Sequence, residues 1–395
     1  MTQKQQNYSF ALSVMIVLSF LLGFITTMNN SMIDFCTKAF SLDETQRQLV
    51  NTAFYGAYVF SIPIAWILGR MGYKRALVAG MGMVGLGFLL NVLGLSFGYY
   101  GFLCCMFIVA LGIVLLQVAL NPYVLALGPP ETAASRLTLN QTFNSLATTV
   151  APVFVSMLIV SGGTYEASAI KAPFIGLGIF SILLGVIVLG LKLPVIPEET
   201  ETSGDQTRHK SSAFRYPHVL LGTLGIFVYM GVEIGIPSFF PARVQALGLD
   251  IDEPTKYLSL YWGGLLVGRA LGAGILTRFS ARTILLVFSG LSAFCVAASL
   301  LTSGWLSLWL FIATGLFHSI MWSCIFSLAS ADLGPNAKQA SGIICTGVIG
   351  AAILMPLMGT VQKTIGLTAA ICFLFVYYLY LAWFAQKGSR IRTNA

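Results

Sequence analysis

The stretch from Leu116 to Ser145 reads LQVALNPYVLALGPPETAASRLTLNQTFNS and carries carboxamides on both sides of a turn-rich loop. Gln117 and Asn121 are four residues apart, as are Asn140 and Asn144, and Gln141 lies beside the second pair. A spacing of four puts each pair on one face of its own helix. Carboxamides donate and accept hydrogen bonds, which suits a neutral polyhydroxy compound, whereas an anion would call for buried cations. Asn29 and Asn30 add two more amides in the first apolar segment. Tyr55, Tyr58, Tyr123, Trp262 and Trp322 fall in segments where a ring could cover the apolar face of such a compound; core or interfacial packing is the competing role. His318 could bind a hydroxyl, shuttle a proton, or sit buried and neutral.

Charge is scarce at depth. Of fourteen carboxylates, Glu233 alone lies well inside an apolar segment, and Arg269 is the only Lys or Arg placed so deeply. A desolvated Glu reachable from two sides in turn could load and release a proton, or ligate sodium through hard oxygen donors. The alternative is a structural pair with Arg269. The two residues differ by roughly 10 Å in depth at 1.5 Å per residue, so a direct pair requires a favourable register or a bridging water. Asp34, one turn beyond Asn30 on the same face, is a second candidate for a cation, although its place near a segment end also suits a solvated carboxylate.

These residues sit in a chain that is 57% hydrophobic and only 9% charged, against roughly 25% charged in ordinary soluble domains. Apolar runs of about 20 residues recur along its length, each able to cross ~30 Å of hydrocarbon. An all-α polytopic membrane protein follows, with twelve spans near 9–35, 45–69, 75–96, 100–127, 135–160, 170–193, 217–241, 256–277, 282–302, 305–331, 339–361 and 365–386. The opening apolar run is too long for a signal-peptide core and is expected to be the first span. Of the 22 Lys and Arg residues, fifteen fall on one side of this layout and six on the other, leaving Arg269 within a span. That bias sets both termini in the cytoplasm and accounts for the net charge of +8 without a nucleic-acid partner. The seven cysteines form neither a disulfide framework nor a metal motif. No Walker loop or nucleophile–base arrangement is present, and GMGMVGLG (Gly80 to Gly87) lies inside an apolar span, where it suits close helix packing.

The longest polar stretch, from Pro197 to Pro217, has the composition of a solvated linker. It separates an N-terminal six-helix bundle (1–193) from a C-terminal one (217–395), with 194–216 as a cytoplasmic linker. The halves repeat: ILGRMGYKR from Ile67 aligns with ILTRFSAR from Ile275, Leu127-Gly128-Pro129 with Leu333-Gly334-Pro335, and Ser135 with Ser341. Counting in from Gly128 puts Gln117 at ~16 Å, and counting in from Ala134 puts Asn144 at ~15 Å, both near the bilayer centre. Asn121-Pro122 and Ile236-Pro237 should bend their helices by removing backbone hydrogen bonds.

The amide-rich stretch, together with GFITTMNNSMI (from Gly23), NTAFYGAYVFSIPIAWI (from Asn51), YMGVEIGIPSFF (from Tyr229) and YWGGLLVGRALGAGIL (from Tyr261), resembles the fucose permease and glucose/galactose permease family of the major facilitator superfamily. The resemblance runs in order along nearly the whole chain. It implies two six-helix bundles with a midplane site between them, and a small neutral sugar taken up with a proton or sodium ion by alternating access. A monomer in the cytoplasmic (inner) membrane is expected, with the lipid bilayer as its surroundings and no cofactor beyond the co-transported ion. Sugar contacts fall to Gln117, Asn121, Gln141, Asn144, Asn29, Asn30, Tyr55, Trp262 and His318, cation coupling to Glu233 and Asp34, and gating or structural roles to Arg70, Lys74, Arg75 and Arg269.

The chain departs from the family at informative places. Fucose-type members have Asn-Asp where Asn29-Asn30 stands and a carboxylate where Gln117 stands. Gln117 matches the glucose/galactose branch, and Asn30 matches neither. The usual facilitator pattern has an acid before the arginine, where this chain has Gly69. Two rival functions therefore stay open: a uniporter or facilitator for another neutral polar solute, and a sugar sensor that binds without transporting.

Overall fold

The computed structural model describes residues 8–42, 44–158, 167–195, 212–251 and 254–391, which are helical with no strand among them. The helices are α1 (Tyr8–Ala39), α2 (Glu44–Gly56), α3 (Ser61–Met71), α4 (Tyr73–Gly94), α5 (Gly98–Ala126), α6 (Ala133–Leu158), α7 (Lys171–Gly190), α8 (Pro217–Ala246), α9 (Pro254–Ile275), α10 (Ala281–Leu301), α11 (Gly304–His318), α12 (Met321–Ala329), α13 (Ala337–Thr346), α14 (Gly350–Thr364) and α15 (Leu367–Trp383). Ten stretches of the described residues are long and apolar enough to cross a membrane, and one of them, Tyr73–Ala126, holds both α4 and α5. The expected fifth span, α6, is not among the ten; its 26 residues include the second amide cluster.

Each of the twelve expected spans is found as helix, but three are made of two pieces. A 3-10 turn, Ala57–Phe60, joins α2 to α3, and another, Gly347–Ile349, joins α13 to α14. The chain breaks at Ser319 and Ile320 between α11 and α12. Backbone groups freed by such breaks must find partners, because hydrocarbon offers none.

The chain folds into two compact units. The first comprises Met1–Gly128, Phe143–Gln206 and Ala337–Gly342. In it Gly80 and Gly87 of α4 let α5 approach closely, and Gly85 does the same for α7. Phe88, Phe102 and Phe174 pack as a ring cluster, with centroids 5.1 and 6.5 Å apart. Pro122 denies the Val118 carbonyl its usual amide donor four residues on. Ser341 supplies one instead, its hydroxyl donating to Val118 O at 2.8 Å. Next to it, Gly342 packs on Ser61 and Ala65 so tightly that a side chain there would strike both.

The second unit comprises Pro129–Thr142, Thr207–Asn336 and Ile343–Ala395. Ser135, the repeat-mate of Ser341, also donates to a carbonyl in want of a partner: Ala273 O, in the last turn of α9, at 2.6 Å. Arg243 lies on the outer side of the sequence layout, yet it is buried because its guanidinium closes the end of α10. It donates to Ser299 O at 2.5 Å and to Ser307 Oγ at 2.8 Å.

Candidate functional site

In the first unit the amide region is built on α5, with the α2–α3 turn beside it. Tyr58 belongs to that 3-10 turn, whose geometry is held by Ser61 Oγ donating to Tyr58 O at 2.7 Å. From there the Tyr58 hydroxyl donates to Gln117 Oε1 at 2.5 Å. With its oxygen engaged in this way, Gln117 turns its NH2 group, a pair of donors, away from the tyrosine. Asn121, one turn along α5, is buried, and its Nδ2 has no hydrogen-bond partner among the described residues.

Asn144 is half-buried and donates through Nδ2 to Ser19 O of α1 at 3.0 Å. Gly23 permits this approach, since a Cβ there would land on the Asn144 backbone oxygen. Asn29 is fully buried, and neither of its side-chain polar atoms has a protein partner among the described residues. Tyr55 is half-buried, its ring 5.6 Å from that of Phe54. Asn30 and Asp34 lie on α1, but their side chains are outside the described residues. On the α3–α4 turn, where Gly72 adopts φ 75°, the Arg70 guanidinium stacks 3.5 Å from the Trp66 ring centroid. Lys74 is half-buried there and Arg75 exposed.

Two of the candidate amides belong to the second unit. Asn140 is fully buried, with neither side-chain polar atom partnered among the described residues, and Gln141 beside it is half-buried.

The ionisable centre also lies in the second unit, where α8 and α9 meet the break between α11 and α12. Glu233 of α8 and Arg269 of α9 form a direct ion pair, Oε1 to Nη2 at 3.1 Å. Both side chains are mostly buried, 14% and 11% exposed, so solvent does little to weaken the pair. The direct pair, for which the sequence layout asks a favourable register or a bridging water, is formed without a bridge. The same guanidinium donates through Nε to Ser319 O at 3.0 Å, one of the carbonyls freed by the α11–α12 break. Gly268 makes room, because a Cβ on it would collide with Ser319. Arg269 thus sits on one carboxylate oxygen and one freed carbonyl, an oxygen-donor set that would also suit a small hard cation.

Around this pair the polar groups are tied together. The Tyr229 hydroxyl donates to His318 O at 3.1 Å, at the end of α11. The Tyr261 hydroxyl donates to Glu233 O at 2.8 Å and meets His318 Nδ1 at 2.9 Å. On the other side of the imidazole, His318 Nε2 lies 2.7 Å from the Tyr378 hydroxyl. His318 is fully buried with both ring nitrogens engaged. Trp262 is exposed, its ring edge-on to Tyr261 at 5.2 Å. Trp322 is buried against Tyr229 and Phe326.

Tyr229, Tyr261, Tyr378 and Ser319 were not candidates on sequence grounds. One signal for Tyr261 was present: a proline four residues after Glu233 leaves that carbonyl needing a donor. The sequence carries no sign of which neighbouring helix supplies it.

The model of the family described as Major Facilitator Superfamily matches residues 15–356. The chain is 37% identical over 399 residues to a glucose/galactose transporter of Brucella abortus biovar 1 (strain 9-941), covering 98% of this chain and 96% of that protein. It is 25% identical over 424 residues to the L-fucose-proton symporter of Escherichia coli (strain K12), covering 99% and 96% respectively. In fold it matches a crystal structure of the E. coli fucose:proton symporter FucP with a TM-score of 0.84 at 24% identity, over 98% of this chain and 100% of that one.

Proposed function

This chain belongs to the major facilitator superfamily, and from that premise we propose that it imports a neutral, hexose-like sugar together with a proton or sodium ion. The names of its relatives, a glucose/galactose transporter and a fucose-proton symporter, support the sugar and the symport. The observation that carries the coupling is the Glu233–Arg269 pair. A buried carboxylate balanced by a single guanidinium can exchange that partner for a transported cation, and the two states differ in charge and in helix contacts.

On this reading Gln117 and Asn121 bind sugar hydroxyls, with Asn29, Asn144, Gln141, Asn30, Tyr55 and Trp262 as further candidates; His318, its ring nitrogens both engaged by tyrosines, is left out. Tyr58 sets the Gln117 amide. Glu233 carries the cation, and Asp34 is the second candidate. Arg70, Lys74 and Arg75 serve orientation and gating at the cytoplasmic face. The protein works as a monomer in the inner membrane, with both termini cytoplasmic and 194–216 linking two six-helix halves.

The test is counterflow and uptake in proteoliposomes over a panel of sugars, with proton and sodium gradients imposed separately. Accumulation should follow one gradient. Uptake indifferent to both would establish uniport, the reading that amides at Asn30 and Gln117 favour, and would end the symport reading. Glu233→Gln should abolish gradient-driven accumulation while sparing counterflow.

A further inference from the structure

Pro237 stands four residues after Glu233 and has no amide hydrogen, so the Glu233 backbone carbonyl has lost its helical donor. Tyr261 replaces that donor from α9, hydroxyl to carbonyl at 2.8 Å. A tyrosine hydroxyl has one proton. With that proton on Glu233 O, the 2.9 Å contact to His318 must run the other way, Nδ1–H donating to the tyrosine oxygen. His318 Nε2 is then an acceptor, and the Tyr378 hydroxyl donates to it at 2.7 Å. The hydrogen bonds form one directed chain, Tyr378 to His318 to Tyr261 to the Glu233 carbonyl, in which both ring nitrogens are used and the imidazole is neutral.

The backbone under Tyr261 is held as well. Gly315 of α11 packs against the Tyr261 carbonyl so closely that any side chain there would displace it. All three members of the chain are buried at 1% exposure or less, so water cannot stand in for a missing partner.

We propose that Tyr261 is the positioning residue of Glu233: it restores the hydrogen bond that Pro237 removes, and His318 and Tyr378 orient its hydroxyl. Pro237 leaves α8 locally free to turn about Glu233, and Tyr261 decides where that turn settles, with the carboxylate towards Arg269. None of the three touches the transported cation. This assignment rests on the reading of Glu233 as the coupling carboxylate.

The experiment measures sugar uptake in proteoliposomes against the concentration of the driving cation, beside counterflow, for Glu233→Gln, Tyr261→Phe, Pro237→Ala and the Pro237→Ala/Tyr261→Phe double variant. Losing the bond should raise the cation concentration for half-maximal uptake about tenfold in Tyr261→Phe, with counterflow retained, as expected for an orphaned buried carbonyl. Alanine at 237 brings back an amide hydrogen for the Glu233 carbonyl, so Tyr261→Phe should add less than about twofold in that background. Should Tyr261→Phe not fold, Tyr378→Phe carries the same expectation, because it frees the imidazole to turn.

Tyr261→Phe with unchanged cation dependence, beside an uncoupled Glu233→Gln, overturns the role of Tyr261 alone. An equal shift with and without Pro237 also overturns it, since the hydroxyl would then act elsewhere. Accumulation retained in Glu233→Gln overturns the coupling reading and this assignment with it.

Discussion

Ser341 donates its hydroxyl proton to the Val118 carbonyl at 2.8 Å, and Pro122 is the reason that carbonyl can accept it. The bond ties the middle of α13 to the second half of α5, one residue from Gln117. Ser341 is fully buried, so the bond is shielded from competing water. Ser341→Ala should cost about 1–3 kcal/mol by orphaning a buried carbonyl. In a Pro122→Ala background, where the helix can supply its own amide hydrogen, the same change should cost under about 0.5 kcal/mol. Thermal unfolding of the parent protein and the three variants in detergent closes the cycle; equal costs in both backgrounds would refute the link to Pro122.

The Glu233–Arg269 pair predicts a second cycle. Arg269→Ala leaves a buried carboxylate without its cation and the Ser319 carbonyl without its donor, and should cost about 3–5 kcal/mol. Adding Glu233→Gln to that variant removes the unpaired charge and should recover most of the loss. Arg269→Lys keeps the charge but cannot hold carboxylate and carbonyl in one planar fork, so it should fall between the two. Chemical unfolding checks the order, and an additive double variant would mean the two residues do not depend on each other.

Sugar binding should respond to Tyr58 through Gln117. Gln117→Ala should weaken equilibrium binding by about 10- to 100-fold, and Tyr58→Phe by about fivefold, the loss of one neutral hydrogen bond. In Gln117→Ala the Tyr58 change should add little, because its partner is gone. Calorimetric titration in detergent measures all three. Unaltered affinity in Gln117→Ala removes that amide from the site.

Gly23→Ala tests how tightly α1 and α6 must meet. The added methyl lands on the Asn144 backbone oxygen, so the helices must part and the Asn144 bond to Ser19 O must lengthen. The expected penalty is about 1–3 kcal/mol, as for other overpacked interfaces. A melting temperature equal to that of the parent protein would show that the helices yield without strain.

Much of the architecture is legible in the sequence because hydrocarbon sets strict terms. A run of about 20 apolar residues has few alternatives to a spanning helix, and each of the twelve expected spans is helix in the structure. The interruptions are harder to read. Pro122 and Pro237 announce a missing amide hydrogen, but no proline marks the break at Ser319 and Ile320, which is held by Arg269 from another helix. Counting along the chain leaves open whether Glu233 and Arg269 meet directly, because it fixes neither helix register nor side-chain direction; the structure pairs them at 3.1 Å.

His318 shows the same boundary from the other side. Its position in an apolar span was evident, and both a ligand role and a buried neutral state were open. The structure gives each ring nitrogen a tyrosine partner, a pairing between residues 57 and 60 positions apart. Nothing local in the sequence encodes a contact at that separation.

By itself the sequence determined the all-helical membrane class, the order of the spans, the amide-rich stretch of α5 and α6, and the isolation of Glu233 and Arg269 at depth. These follow from local composition and from the cost of polar groups in lipid. Only the tertiary structure decided which groups pair: Tyr58 with Gln117, Arg269 with Glu233 and Ser319, Tyr261 with the carbonyl that Pro237 sets loose. Prolines and breaks create a demand for hydrogen bonds that can be counted along the chain. The supply comes from side chains on neighbouring helices, and packing alone brings them within reach.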